Sequence, residues 1–263
     1  MSSMQQQNHL QQLKQFLDKR VDQYNRPEFI EQDPIQIPHR FRNKEDIEIA
    51  ALLTSTIAWG NRNMIIQNAQ RLMMLLENDP YRFVMHASEN ELKAFSRFAH
   101  RTFNGEDGQY FIASLRNLYS SYQGLEEVFA QGYAKEQCIA GAIDYFRQQF
   151  LTMPHPKHVE KHIANIRQHS GGKRLNLFLR WMIRKDDRQV DFGLWDRIPM
   201  SALMLPLDIH SGKAARKFGL LQRKQNDWQA VEEVTAQLRT FDPNDPVKYD
   251  FALFAVDLFE KEL

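Results

Sequence analysis

The sequence predicts an all-α fold, and three observations predict it. Apolar residues recur at helical spacing over long stretches, most clearly in "EDIEIAALLTSTIAWGNRNMIIQNAQRLMMLLEND" (45–79). Period-two alternation bounded by turns, the mark of strands, is nearly absent. Finally, no internal repeat, low-complexity region beyond a short Gln-rich start, or change of composition marks a linker, so the helices are expected to form one compact unit, in one or two lobes.

In chain order, the first helix covers about 8–23, and the irregular "NRPEFIEQDPIQIPHR" (25–40) follows it. Ile49, Leu52, Leu53, Ile57 and Trp59 form one apolar stripe. After a break at Gly60, a second stripe runs through Ile65, Ile66, Ala69, Leu72, Met73 and Leu76. Further helices are predicted near 88–97, 107–122, 125–133, 135–151 and 157–168, with irregular chain at "FAHRTFNGEDG" (98–108) and "TMPHP" (152–156). Helices near 172–185, 208–218, 224–240 and 246–262 complete the chain, with "FGLWDRIP" (192–199) irregular.

The 263 residues suffice for a substantial core, and 43 % hydrophobic and 25 % charged residues are ordinary for a globular protein. A single cysteine, Cys138 in "AKEQCIAGAIDYF", excludes an intramolecular disulfide and any four-cysteine metal or iron–sulfur site; its helical setting predicts a buried structural thiol. "MSSMQQQNHLQQLKQFL" lacks the apolar core of a signal peptide and no run is long enough to span a membrane, so a cytoplasmic location is expected. The net charge of +1 gives no global attraction to nucleic acid, so any basic footprint must be local. Nine Lys and Arg stand between His155 and Arg188 against Glu160, Asp186 and Asp187, alongside His155, His158, His162 and His169. This stretch is either a phosphate-facing surface or a solvated helix face.

Two segments carry candidate chemistry. In "HSGGKRLNLFLRWMIR" (169–184), Ser170, Gly171 and Gly172 make a flexible turn into a helix beginning near Lys173, and backbone N–H groups at such a terminus can bind phosphate. Leu175, Leu177, Phe178, Leu179 and Trp181 pack, while Arg174, Arg180 and Arg184 stay on the polar side. Lys173 either contacts phosphate or, with its pKa lowered by Arg174 and the helix terminus, serves as a nucleophile. In "PLDIHSGKAARKFGLL" (206–221), Asp208 emerges from an apolar approach at the start of a helix. It can be a helix cap, a catalytic carboxylate, or both.

"LPLDIHSGKAARKFGLL" resembles the segment V-D-T-H-V-x-R-x-x-x-R-L-G-L of helix-hairpin-helix DNA glycosylases, and "SGGKRLNLFLRWM" resembles the hairpin and following helix of their lysine-bearing branch, which removes oxidised guanine. "IEIAALLTSTIAWGNRNMIIQNAQRL" resembles the early helices of that family. The likeness spans about 45–221 in the family's order, and the whole chain also resembles a bacterial family of unknown function. It implies a single two-lobed helical unit, with about 45–168 as an internal lobe and about 1–44 plus 169–263 as a second lobe carrying the hairpin and Asp208. There are departures. The hairpin has Gly-Gly rather than Gly-x-Gly, the 35-residue interval from Lys173 to Asp208 is long and filled by "KDDRQVDFGLWDRIPMSAL", the Gln of the early helix is replaced, and the iron–sulfur cysteines of other branches are missing.

The resemblance implies a DNA glycosylase with lyase activity acting on duplex DNA, without cofactor, metal or iron–sulfur cluster. Lys173 attacks the anomeric carbon of a flipped nucleotide and Asp208 stabilises the developing charge. Ser170, Gly171, Gly172, Arg174, His210 and Lys213 contact the DNA. Trp59, His100, Arg101, Phe103 and Trp195 (with Phe98) are candidates for the base pocket, each of the aromatics being equally explained by core packing. His158 and His162 share helical spacing for a metal, but no clear third ligand or catalytic glutamate accompanies them, and bordering phosphate suits them better. Three other functions fit parts of the sequence: a nucleic-acid binding protein without glycosylase chemistry, a helical protein-interaction module, and a metal-dependent hydrolase built on the histidines.

Overall fold

The computed structural model describes residues 3–259. Its helices are α1 (Ser3–Tyr24), α2 (Pro27–Ile30), α3 (Lys44–Thr56), α4 (Arg62–Leu75), α5 (Pro80–His86), α6 (Glu89–Lys93), α7 (Gly105–Ser121), α8 (Leu125–Glu136), α9 (Ile139–Phe150), α10 (Lys173–Ile183), α11 (Ile209–Lys217), α12 (Trp228–Phe241) and α13 (Tyr249–Phe259). Between α6 and α7, strands β1 (Ala99–His100) and β2 (Phe103–Asn104) pair antiparallel, Ala99 with Asn104 and His100 with Phe103. The fold class is all-α, and no helix among the described residues is long and apolar enough to cross a membrane. Residues 260–262 of the last predicted helix lie outside the described residues.

Several elements depart from the sequence reading for identifiable reasons. The predicted helix at 157–168 is two 3₁₀ turns, Lys157–His162 and Ile166–Gln168. Arg147 donates to the carbonyls of Glu160 and Ile163, oxygens a continuous α-helix would need for its own ladder. Helix α2 and helix α5, read as loop or not at all, each begin with proline, whose fixed φ suits the first helical position. Cys138 is only partly buried and stands outside its helix: Gln137 takes a left-handed φ of 52°, and the Cys138 thiol caps α9 by accepting from the Gly141 N–H at 3.4 Å.

The chain divides into two compact units. One contains the chain up to Phe29, His169–Gly193 and the chain from Pro199; the other contains Ile30–Gln168 and Leu194–Ile198. The sequence puts the first boundary near 44/45, whereas the structure puts it at 29/30, because Ile35 and Ile37 in the 3₁₀ turns ahead of α3 are wholly buried on α3 and α4.

In the second unit α3 is buried on every side from Asp46 to Thr56, as befits a central helix. Its Glu48 carboxylate accepts from Tyr119 Oη at 2.7 Å and the Leu125 N–H at 3.3 Å, and from Trp195 Nε1 at 2.7 Å. Burial pushes the Glu48 pKa up against those donors. The Trp195 bond fastens the excursion 194–198 to this unit, so Trp195 is a core residue and not a base-stacking one. The first unit packs Leu175, Phe178, Leu179, Trp181 and Met182 of α10 inside, and sets α13 against α1 and α11.

Candidate functional site

Lys173 and Asp208, 35 residues apart in sequence, meet in the first unit with Lys173 Nζ 3.6 Å from Asp208 Oδ2. Each opens a helix. Gly172, buried and left-handed at φ 62°, precedes α10 without a side-chain cap, so Lys173 is its first residue. Asp208 caps α11: Oδ1 accepts from the N–H groups of His210 at 2.8 Å and Ser211 at 2.9 Å, and Ser211 Oγ accepts from the Asp208 N–H at 2.9 Å. The two carboxylate oxygens thus divide the work, one holding the helix and the other facing the lysine. Lys173 keeps a third of its side chain in solvent and Asp208 a sixth, so the pair is reachable but partly sheltered.

Asn226, which the sequence reading missed, locks the two turns together. Its Nδ2 donates to the Asp208 carbonyl at 2.8 Å and its Oδ1 accepts from Arg216 at 2.6 Å. A Cβ on Gly171 would fall 2.4 Å from the Asn226 carbonyl oxygen, and one on Gly212 would fall 2.9 Å from the Asn226 side chain. Glycine at 171 is therefore required by close approach of backbone to backbone. Ser170 Oγ accepts from the Gly172 N–H at 3.3 Å, tightening the hairpin further. No signal in the sequence marks Asn226 beyond its place before Asp227, which caps α12.

Beneath this pair two arginines of the basic stretch turn inward, which corrects their placement on the polar side, while Lys157, Lys161, Arg167 and Lys185 stay exposed. Arg180 and Arg184 are 3 % and 2 % exposed. Arg180 holds Asp191 at 3.2 Å and also contacts Asp250; Arg184 holds Asp191 at 3.1 Å, Asp245 at 2.9 Å and Asp186 at 2.7 Å. Arg174 is half-buried, and desolvation pulls its pKa down to about 10.

Asp250 is buried, and desolvation, with help from Asp208 and Asp191, outweighs Arg180 and Lys173 to push its pKa up to about 7. A carboxyl with a raised pKa contributes stability fully below its ordinary value of 3.8 and loses it as the pH climbs through about 7. Asp250→Asn is therefore expected to gain stability relative to the native chain on going from about pH 4 to about pH 8, read by urea unfolding at both. A relative loss over that range contradicts this account of the network.

His210 presents its Nδ1–H to Asp257 Oδ2 at 2.6 Å and packs edge-on against Phe254 at 5.6 Å, which fixes the ring and leaves it about two-fifths exposed. Lys213, one turn past Ile209, is exposed.

The base-pocket candidates belong to the second unit and part into two groups. Phe103 is wholly buried and His100 is 3 % exposed, so neither is open to a base; both are core residues of the β-hairpin. Phe98 is core as well, at 2 %. His100 Nδ1 lies 3.1 Å from Asn68 Nδ2 and its Nε2 3.3 Å from the Trp59 carbonyl, and burial pulls its pKa down. Trp59 is only partly buried, edge-on to His100 at 5.1 Å and stacked near His162 at 6.2 Å. Arg101 is exposed with φ 54°, its guanidinium over Gly60.

His162 is buried and His158 half-buried. Their Nε2 atoms face the buried Asp107 carboxylate at 3.4 and 3.2 Å. Burial opposes the Asp107 charge, but His162, the Asn104 N–H and His158 hold its pKa below the carboxylate range. Among the described residues, no group of three or more His, Cys, Asp or Glu could hold a metal ion.

A family described as "Protein of unknown function (DUF2400)" matches residues 33–259, a span that includes Lys173, Asp208 and Asn226. The chain belongs to this family. No curated protein and no solved structure matches it.

Proposed function

We propose that this DUF2400 protein is a DNA N-glycosylase with lyase activity, of the helix-hairpin-helix kind, acting on a damaged base such as an oxidised purine. The observation that carries the reading is the Lys173–Asp208 pair at 3.6 Å, with each residue at the start of its own helix and the carboxylate's second oxygen engaged in capping. A lysine at that place can pass one proton to the departing base, attack the anomeric carbon as a neutral amine while the glycosidic C–N bond breaks, and pass a second proton to the ring oxygen as the sugar opens, giving a protonated Schiff base. Asp208 then offsets the positive charge that develops on the sugar. The hairpin of Ser170, Gly171 and Gly172, His210 and Lys213 serve DNA phosphates in this reading.

A duplex carrying an oxidised guanine, incubated with the protein and borohydride, is expected to yield a covalent protein–DNA adduct that Lys173→Gln cannot form. Salt-sensitive binding without base release or adduct on any damaged duplex leaves a nucleic-acid binding protein instead.

A further inference from the structure

Among the described residues, the most exposed large hydrophobic side chain is Ile209, at 67 %. The others, Met64, Met74 and Tyr81, all lie in the second unit. Ile209 is the residue after Asp208 and the first of α11. Ser211, Gly212, Ala214 and Ala215 of that helix are buried, while Ile209, Lys213 and Lys217 are exposed at i, i+4 and i+8. The outer face of α11 is thus a stripe of one aliphatic side chain followed by two cations. Lys213 and Lys217 make no ion pair among the described residues, whereas Arg216, between them, is spent on the carbonyls of Arg223 and Lys224. An all-cationic outer face with an apolar end beside a carboxylate–lysine pair is complementary to a polyanion that also offers apolar rings.

We propose that this stripe engages one strand of DNA, Ile209 packing against the sugar or base edge next to the reacting nucleotide and Lys213 and Lys217 following the phosphates. The placement of that nucleotide rests on the glycosylase reading; engagement of DNA by the stripe does not need the chemistry to occur. Ile209 then supplies a salt-independent part of the affinity and the lysines a salt-dependent part.

The test is fluorescence anisotropy of the full chain with a duplex containing a tetrahydrofuran abasic analogue, titrated across salt concentration. Ile209→Ser is expected to weaken binding about tenfold at every salt concentration with the slope kept, and Ile209→Leu to bind as the native chain does. The Lys213→Ala/Lys217→Ala double variant is expected to flatten the slope of log K against log salt by about two. Thermal midpoints should be unchanged in all three, since none of these side chains is buried. An Ile209→Ser line that overlays the native one, or a double variant with the native slope, overturns the proposal. If the native chain does not bind the duplex, this proposal and the glycosylase reading fall together. Ile209-dependent binding with no borohydride adduct on damaged duplexes ends the glycosylase reading and leaves the stripe in place.

Discussion

Asp208→Asn is expected to lower base release by about 10² to 10⁴ while leaving the fold intact. Asparagine caps helices about as well as aspartate, and its amide oxygen can take over the bonds that Oδ1 accepts from His210 and Ser211. What it cannot reproduce is the negative oxygen facing Lys173. Asp208→Ala removes both roles, so it should cost about 1 kcal/mol of stability in addition to the loss of rate. Single-turnover base release and thermal unfolding on both variants separate the two. If Asp208→Asn retained the native rate, Asp208 would be a cap and nothing more.

Arg184→Met is expected to be the most destabilising single change outside the apolar core, at about 3–5 kcal/mol. Burial disfavours its charge, yet Asp191, Asp245 and Asp186 outweigh that and push the guanidinium pKa up. Removing it leaves Asp245 and Asp186 without their arginine and Asp191 with Arg180 alone. Arg188→Met, in the same basic stretch, should cost less than about 1 kcal/mol, because the two carboxylates that Arg188 meets, Asp22 and Asp187, are largely solvated. Urea unfolding of the two variants measures the contrast, and equal small losses would refute the buried-network account.

That contrast shows what the sequence could and could not disclose. The charge excess between His155 and Arg188 is a local count, and the acids that neutralise it (Asp22, Glu136, Asp191, Asp245 and Asp250) come from elsewhere in the chain. Periodicity marks which face of a helix is apolar, but Arg180 of α10 and Arg184 at its end are buried because partner carboxylates wait for them inside. The long helices were legible because their apolar spacing persists over several turns, as in α3, α4, α7 and α10. The 157–168 segment was not, since its outcome turned on Arg147 of the preceding helix α9 capturing two of its carbonyls. Of the site, Lys173, Asp208 and the glycine turn could be found from motif and spacing, and the structure brings the first two to 3.6 Å. Asn226 could not, because its role depends on a close approach of backbones that no local pattern encodes.

The central claim is that Lys173 Nζ forms a covalent bond to the sugar, and peptide mapping of the borohydride-reduced adduct tests it most directly. After nuclease and protease digestion, the account predicts that the sugar remnant sits on the peptide containing Lys173. A remnant on another amine of the native chain, or no remnant on any damaged duplex, contradicts it.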